Sequence, residues 1–170
     1  TTQAKILDLI DELKTEYGGS ILLITHNLGV IARIADRVSI LYAGEILEHG
    51  PVSKVFTEST NPYTQGLLAA TPSIQQEKDL SPIPGQIPEL FEIPEGCIFA
   101  DRCEFATEEC RTESVPMKTV DSQTGHETRC HRWEHAVENP IEAEANADST
   151  TVRERGETIL ETASLKKHFG

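Results

Sequence analysis

Basic and aromatic residues are scarce in this chain. Its 170 residues include 15 Lys and Arg against 28 Asp and Glu, which gives a formal net charge of -13. Because proteins that bind nucleic acids neutralise phosphates with Lys and Arg, this balance argues against a nucleic-acid partner. Aromatic residues form only 5% of the sequence. We therefore expect a modest core built mainly from aliphatic side chains.

Long apolar runs are also missing. No segment approaches the ~20 consecutive apolar residues of a membrane-spanning helix, and no segment has the layout of a secretory signal peptide. Four cysteines in such a sequence favour metal ligands or free thiols over disulfides. The chain opens at Thr1 within a helical pattern, so we expect the parent protein to continue before it.

The first part of the chain has an α/β pattern. Apolar residues recur at helical spacing over Thr2–Tyr17, which predicts an amphipathic helix that ends at Gly18 and Gly19. The apolar face of this helix is formed by Ile6, Leu9, Ile10 and Leu13. The nearly continuous apolar run from Ser20 to Thr25 predicts a strand inside a parallel sheet. Asn27 is a suitable cap for the helix that follows.

A hairpin and two helical segments are predicted next. Residues 37–42 form the first strand, Ala43 and Gly44 the turn, and residues 45–48 the returning strand. Two helical segments follow, a short turn at Ser53–Phe56 and a helix from Pro62 to Ala70 with Asn61 as its cap.

His26 directly follows the predicted strand. In open α/β sheets, ligands bind at the carboxyl ends of the strands. An imidazole at that place can donate to a phosphate oxygen with one nitrogen and use the other for a second partner. The alternative is a structural polar residue that closes the strand and bonds to a backbone carbonyl.

The order of these segments resembles the last part of an ATP-binding-cassette (ABC) ATPase, a P-loop NTPase domain with an α/β fold. The resemblance rests on Thr25-His26-Asn27, Ala35-Asp36-Arg37, Tyr42-Ala43-Gly44-Glu45-Ile46 and Glu48-His49-Gly50-Pro51. It implies that His26 is a catalytic residue, the switch histidine that reaches the γ-phosphate of ATP and helps position the attacking water. The family usually has Asp after this histidine, where this chain has Asn27.

The phosphate-binding motifs of such an ATPase are not found here. In the family the Walker A loop, the signature motif and the Walker B carboxylates precede the segment that resembles Thr1 onward, and no G-x-x-x-x-G-K-[ST] occurs in residues 1–170. We therefore expect no ATP hydrolysis by the isolated chain, while the resemblance implies ATP and Mg²⁺ as cofactors of the parent protein.

Three further segments narrow the resemblance to the nucleotide-binding subunits of oligopeptide and dipeptide importers. They are Asn61–Ala70, Ile83–Pro88 and Pro94–Cys103, and the likeness covers about residues 1–134. It implies a peripheral subunit on the cytoplasmic face of the membrane that energises peptide import. The implied partners are a second ABC ATPase domain, two transmembrane permeases and an extracellular peptide-binding protein.

Four cysteines, Cys97, Cys103, Cys110 and Cys130, lie at the spacing C-x5-C-x6-C-x19-C. This spacing matches neither common zinc fingers nor the usual ferredoxins. A segment with few apolar residues nevertheless needs a covalent or metal crosslink for stability, and four thiolates around one metal centre would supply it. Some peptide-importer subunits carry a [4Fe-4S] cluster on a matching set of cysteines, so the resemblance favours a cluster, with structural Zn²⁺ or free thiols as alternatives. His126 and His131 flank the last cysteine, and either could replace a ligand or be simply hydrogen-bonded.

Four parts of the chain are predicted. Residues 1–71 are the C-terminal part of the ATPase domain. Residues 72–134 are a small, loop-rich, cysteine-containing extension, and its Pro-rich start at 72–96 is predicted to have an extended backbone. Residues 135–156 are an acidic linker, and 157–170 resemble the start of a second ABC ATPase domain, which would make the parent a tandem fusion.

Two other functions are compatible with the same residues. The first is a metal-stapled regulatory or interaction module without catalysis. The second is an ABC importer subunit for another cargo, such as nickel.

Overall fold

The computed structural model describes residues 2–71, 82–88 and 94–141. It combines short helices with one small antiparallel sheet. The elements in chain order are α1 (Thr2–Tyr17), α2 (Leu28–Ile34), β1 (Arg37–Tyr42), β2 (Glu45–Pro51), α3 (Val52–Thr57), α4 (Pro62–Ala69), a 3-10 turn (Ala100–Arg102), α5 (Glu108–Thr112), β3 (Lys118–Asp121), β4 (His126–Thr128) and α6 (Trp133–Glu138).

Helix α1 has the predicted bounds. Gly18 follows it with φ +62° and donates its backbone N–H to the Lys14 carbonyl at 3.1 Å, a glycine C-terminal cap. Its apolar face is only partly covered, because Leu7 is buried whereas Ile6 and Leu9 are 52% and 53% exposed.

The strand predicted over residues 20–25 is wrong for the described chain, because residues 18–25 form neither helix nor strand. Leu22 and Ile24 are 89% and 91% exposed. A strand requires hydrogen bonds to a neighbouring strand, and the sheet formed by the described residues contains only β1 to β4. The predicted cap is confirmed: the Asn27 Oδ1 accepts the Val30 N–H at 3.2 Å at the start of α2.

The hairpin of β1 and β2 is confirmed at its predicted turn. Ala43 and Gly44 have φ of 45° and 91°, the paired left-handed conformations of a two-residue type I′ turn. The pairing register shifts between Ile40 and Leu41, so that Leu47 is an extra residue in β2. Strand β2 continues to Pro51, three residues further than predicted.

The sheet has the order β1-β2-β4-β3, with all neighbours antiparallel. Strands β3 and β4 come from the cysteine-containing region, which was predicted to be loop-rich. In β2, Glu48 pairs with Thr128 of β4, and His49 pairs with Glu127. The sheet therefore joins the hairpin to the cysteine region.

Two apolar clusters pack against the hairpin. One is formed by Val38, Ile40, Val52 and Val55; the other by Tyr42, Leu47, Ile98 and Phe99. Tyr63 of α4 stacks against the second cluster, with ring centroids 4.7 Å from Tyr42 and 5.2 Å from Phe99. The hairpin thus packs on both helix α3 and the cysteine region.

The described part of the Pro-rich segment docks through Arg102. Its guanidinium donates to the Pro84 carbonyl at 2.7 Å, to the Ile83 carbonyl at 3.1 Å and to the Tyr42 hydroxyl at 3.2 Å. Residues 82–88 contain neither helix nor strand, in agreement with the predicted extended segment. The rest of that prediction, at 72–81 and 89–93, lies outside the described residues.

The described chain stays packed beyond residue 134. Helix α6 ends at Glu138, and Gln65 of α4 donates to the Ala136 carbonyl at 3.0 Å and accepts the Ile141 N–H at 3.1 Å. The start of the acidic linker at residue 135 is therefore wrong. The remaining linker (142–156) and the predicted second ATPase segment (157–170) lie outside the described residues. Among the helices described, none combines the length and apolar character needed to cross a bilayer.

Candidate functional site

All four cysteines line one small cavity of about 20 Å³. None is in a disulfide. Phe99 and Phe105 form part of the apolar wall, and His131 and Arg132 complete the side that follows Cys130. The fold thus brings together cysteines that are up to 33 positions apart in the sequence. Their spacing alone did not show whether they share one site.

Backbone contacts set the positions of the first three cysteines. Cys97 donates its N–H to the Cys110 carbonyl at 2.7 Å, and Cys103 closes the 3-10 turn by donating to the Ala100 carbonyl at 3.2 Å. Gly96 makes this approach possible, because a Cβ there would lie 2.4 Å from the Cys110 carbonyl oxygen. Any side chain at residue 96 would push Cys97 and Cys110 apart.

The bulge in β2 sets the position of the fourth cysteine. The Leu47 carbonyl accepts the Arg129 N–H at 2.7 Å and the Asn61 Nδ2 at 3.1 Å. Asn61 Nδ2 also lies 3.2 Å from the Arg129 carbonyl, and its Oδ1 accepts the Tyr63 N–H at 3.0 Å. One side chain therefore caps α4 and holds the residue that precedes Cys130.

The thiols are in an environment that disfavours their charged form. Burial raises the pKa of the Cys103 thiol to about 11 and that of the Cys130 thiol to about 12, and the other thiols nearby add to both effects. Burial also raises the pKa of Cys97. Without a cation these three thiols are protonated at neutral pH. A bound metal ion reverses that preference, because it stabilises the thiolates.

The sulfur atoms are more widely spaced than the ligands of a single zinc ion. Among the described residues, no three cysteine sulfurs lie within 4.8 Å of one another. Tetrahedral Zn–S bonds of 2.3 Å separate the sulfurs by about 3.8 Å.

The two histidines that flank Cys130 have different environments. His126 is buried, and its Nε2 lies 2.9 Å from the Glu48 Oε1. The His131 side chain is 10% exposed, and its Nδ1 is 3.8 Å from the Glu109 Oε1. Its Nε2 is buried without a hydrogen-bond partner among the described residues. The Nε2 of His126 is thus paired within the fold, whereas the Nε2 of His131 has no partner among the described residues.

A second buried polar centre surrounds Glu48, which is fully buried. Its carboxylate accepts the Thr60 N–H at 2.7 Å, the Thr60 hydroxyl at 2.9 Å and the Ser59 hydroxyl at 3.0 Å, in addition to His126. Gly50 leaves room for this histidine, since a Cβ there would lie 3.0 Å from the His126 Cδ2. The sequence pattern did not reveal this centre, because Glu48 stood in a half-buried hairpin where a glutamate is normally solvated.

His26 lies apart from both centres. It is exposed in a bend just before α2, where the Thr25 hydroxyl accepts the Asn27 N–H at 3.0 Å. It is not among the residues that line the cysteine cavity. The described structure therefore contains two separate candidate sites, His26 and the cysteine cavity.

Residues 47–110 match the family model described as the C-terminal region of oligopeptide/dipeptide transporters. This match runs from the β2 bulge to the third cysteine of the cavity. It covers the Asn61-Pro62-Tyr63 segment and the Arg102 anchor.

Curated relatives with peptide-transport names match a larger part of the chain. A putative peptide import ATP-binding protein of Brucella ovis is 45% identical over 141 residues, which cover 79% of this chain and 41% of the relative. An oligopeptide transport ATP-binding protein of Haemophilus influenzae is 46% identical over 112 residues, which cover 65% of this chain and 35% of the relative. A putative peptide import ATP-binding protein of Brucella melitensis is 42% identical over 131 residues, which cover 76% and 39%.

The chain spans about two fifths of the length of the curated relatives it matches. The family-model match includes the end of β2, the Asn61 helix cap and the first three cysteines. The resemblance inferred from the sequence is confirmed, and the chain is homologous to the ATP-binding subunits of peptide ABC transporters.

Proposed function

We propose that this chain is part of an ATP-hydrolysing subunit that energises peptide import across the cytoplasmic membrane. The observation that carries the proposal is the 45% identity over 141 residues to a protein named as a peptide import ATP-binding protein. The family description names oligopeptides and dipeptides as cargo. The proposed cofactors of the whole protein are ATP and Mg²⁺.

The proposed assembly places the subunit at the cytoplasmic face of the membrane. Its partners would be two membrane permeases, an extracellular peptide-binding protein and a second ABC ATPase domain, either separate or fused in tandem. Cargo choice would belong to the binding protein and the permeases, so this chain would supply energy and not specificity.

His26 is the proposed catalytic residue of this part of the subunit. Its side chain is exposed, so the imidazole is accessible to a triphosphate bound by the rest of the protein. Asn27 fixes the backbone next to it by capping α2. The proposed role is to hydrogen-bond the γ-phosphate and position the attacking water, a contribution of geometry and charge stabilisation.

The test replaces His26 in the protein as the cell makes it. His26→Ala should lower ATP hydrolysis and uptake of a labelled peptide by on the order of 100-fold, the usual effect of removing one group that stabilises transition-state charge. His135→Ala is the matched control, because it removes an imidazole from α6 and should leave both rates near the wild-type values. Undiminished hydrolysis in His26→Ala would contradict the assigned role.

The second proposed element is a metal centre held by Cys97, Cys103, Cys110 and Cys130. The four residues line one cavity. The resemblance to peptide-importer subunits favours a [4Fe-4S] cluster there, with structural Zn²⁺ as the alternative. The positive metal centre would stabilise thiolates that the apolar wall otherwise keeps protonated. Its role would be to staple a region that has few apolar residues of its own.

Anaerobic purification separates the possible occupants. A brown protein with iron and acid-labile sulfide supports a cluster, whereas a colourless protein with one equivalent of zinc supports a structural zinc site. A chain that retains neither metal and has four titratable thiols would contradict the metal centre. That result would leave the proposed transport function untouched, since His26 and the cysteine cavity are separate sites.

A further inference from the structure

His131 is a mostly buried side chain whose ring nitrogens are not satisfied by the described chain. The side chain is 10% exposed, and its Nε2 has no hydrogen-bond partner among the described residues. Its Nδ1 faces Glu109, but the 3.8 Å between Nδ1 and the Glu109 Oε1 exceeds the length of a hydrogen bond. The fold therefore holds this imidazole in place and pays the cost of its burial without bonding it.

Two carboxylates lie beside the Nδ1 side of this ring. Ligand atoms of Glu109, Glu113 and His131 lie within 4.8 Å of one another, and no other group of three His, Cys, Asp or Glu in the described part of the chain has this spacing. Glu113 ends helix α5, and its N–H donates to the Glu109 carbonyl at 2.9 Å. Because the two residues are one helical turn apart, their side chains leave the helix on the same face.

The two carboxylates have no strong positive partner in the described structure. Like charges four residues apart destabilise a helix, and a negative charge is unfavourable at a helix C-terminus. The basic residue of α5 does not relieve this repulsion, because Arg111 pairs with Asp101. Among the described residues, the ion pairs of Glu109 and Glu113 with side chains are limited to the long contact with His131. A bound cation would neutralise both carboxylates and give the imidazole a partner.

We propose that Glu109, Glu113 and the Nδ1 of His131 bind one divalent transition-metal cation of the Mn²⁺ or Zn²⁺ type. One imidazole with two carboxylates suits these ions, whereas Mg²⁺ and Ca²⁺ prefer oxygen ligands alone. Metal bonds of about 2.1 Å separate neighbouring ligand atoms by about 3.4 Å. Both glutamates are exposed, so their side chains can rotate to this separation around the fixed imidazole.

The bound ion would crosslink two segments that carry cysteines. Glu109 precedes Cys110 in α5, and His131 follows Cys130. His131 is also part of the wall of the cysteine cavity, so the ion would brace the cavity from its surface side. The site uses no cysteine, and it does not depend on whether the cavity holds a cluster, zinc or free thiols. Because the ligands are brought together only by folding, binding would stabilise this region.

The experiment measures Mn²⁺ binding to the full, reduced chain without nucleotide, from the electron paramagnetic resonance signal of the free ion. Mn²⁺ is the probe because it prefers oxygen ligands to the soft thiolates of the cavity. Wild type should bind one Mn²⁺, and a competition titration should show Mg²⁺ binding at least about tenfold more weakly, because Mg²⁺ gains little from the imidazole.

His131→Gln and Glu113→Gln should each weaken Mn²⁺ binding by at least about tenfold, since each removes a direct ligand. Glu108→Gln is the matched control, because it removes the same charge from the same helix outside the three-residue group and should keep the wild-type affinity. Urea unfolding without metal checks that each variant folds. Glu113 is exposed, so Glu113→Gln preserves the test if His131→Gln does not fold.

Four results would overturn the inference. Absence of Mn²⁺ binding to wild type at millimolar concentration would show that there is no site. Equal weakening in Glu108→Gln and Glu113→Gln, or equal affinity for Mg²⁺ and Mn²⁺, would show only diffuse attraction to an acidic surface. Wild-type affinity in folded His131→Gln would remove the imidazole from the site. Loss of Mn²⁺ binding in folded Cys110→Ser would place the ion in the cysteine cavity instead.

Discussion

Two polar centres adjoin the bulge in β2, the one around Glu48 and the cysteine cavity, and they differ in how completely the chain satisfies their polar groups. At Glu48 a fully buried carboxylate meets four donors, all within 3.0 Å. At the cysteine cavity, two buried and two partly buried cysteines face an apolar wall, and the Nε2 of His131 has no partner among the described residues. Both centres depend on strand β4, which supplies His126 to one and leads into Cys130 at the other.

This difference shows how the hydrogen-bond partners of a buried polar group indicate its role. A buried carboxylate surrounded by donors has a structural role, because hydrogen bonds from the chain itself offset the cost of removing it from water. The cysteine cavity differs, because burial raises the pKa of its thiols and the Nε2 of His131 has no partner among the described residues. A cation would stabilise the charged form of such thiols. We therefore expect the Glu48 centre to contribute to the stability of the fold and the cysteine cavity to bind a ligand.

Removing the carboxylate from the satisfied centre should have the largest effect. Glu48→Ala leaves the buried donors of His126 and Thr60 without their acceptor, and each buried donor left unsatisfied costs about 1–3 kcal/mol. Urea unfolding measures the loss. Glu48→Gln keeps the volume and one acceptor oxygen, so it should lose less, and equal losses in the two variants would show that the carboxylate charge decides the cost.

Filling the unsatisfied centre should have the next largest effect. Metal at 100 times its dissociation constant should raise the free energy of unfolding by about 2.7 kcal/mol. The increase should vanish in Cys110→Ser, because that variant lacks a ligand of the cavity. An equal increase in wild type and Cys110→Ser would mean that the metal stabilises the chain from another site.

A substitution at Gly96 should disturb the cysteine cavity while leaving the Glu48 centre alone. In Gly96→Ala the new Cβ would lie 2.4 Å from the Cys110 carbonyl oxygen, so the backbone must shift. We expect destabilisation of about 1–3 kcal/mol, the range for overpacking, and weaker metal binding. Gly19→Ala is the matched control, because a Cβ there meets nothing within 4 Å. Equal stability of the two variants would contradict the close approach at Gly96.

The smallest effect on stability is expected at Asp121, a carboxylate that accepts hydrogen bonds from its own turn. Hydrogen bonds from the Thr124 hydroxyl and the Gln123 N–H hold the pKa of this carboxyl below its usual value. The unfolded chain then binds the proton more tightly, so stability falls as the pH drops from the ordinary Asp range through the lowered pKa.

Urea midpoints at neutral pH and at about pH 3 measure this contribution. Asp121→Asn should have a shallower acid dependence than wild type, because at neutral pH it already lacks the small contribution that wild type loses on acidification, and the two should be nearly equally stable at about pH 3. An unchanged acid dependence would show that the turn does not couple to the titration of Asp121.

Local signals in the sequence were sufficient for the elements that form from neighbouring residues. Helix α1 and strand β1 have their predicted bounds. Ala43 and Gly44 make the predicted turn, and Asn61 caps its helix as expected. Each depends on a turn or a capping side chain within a few residues, where local conformational preference is decisive.

Signals that depended on distant neighbours were less reliable. The apolar run at residues 20–25 has the composition of a buried strand, but the described sheet places no strand beside it. Strands β3 and β4 were missed because each is only three or four residues long. Strand β4 is stabilised by its pairing with β2, and β3 by its pairing with β4. Pairing across more than 75 residues leaves no local pattern.

The sequence by itself determined the family resemblance, the hairpin, the helix caps and the identity of the four cysteines, because these depend on residue type and short-range order. Only the tertiary structure decided that the cysteines share one cavity, that His126 pairs with Glu48, and that the His131 Nε2 has no partner in the described part of the chain. The physical reason is that the function of a buried polar group is set by which donors and acceptors lie within about 3 Å of it. For this chain those neighbours come from segments far apart in the sequence.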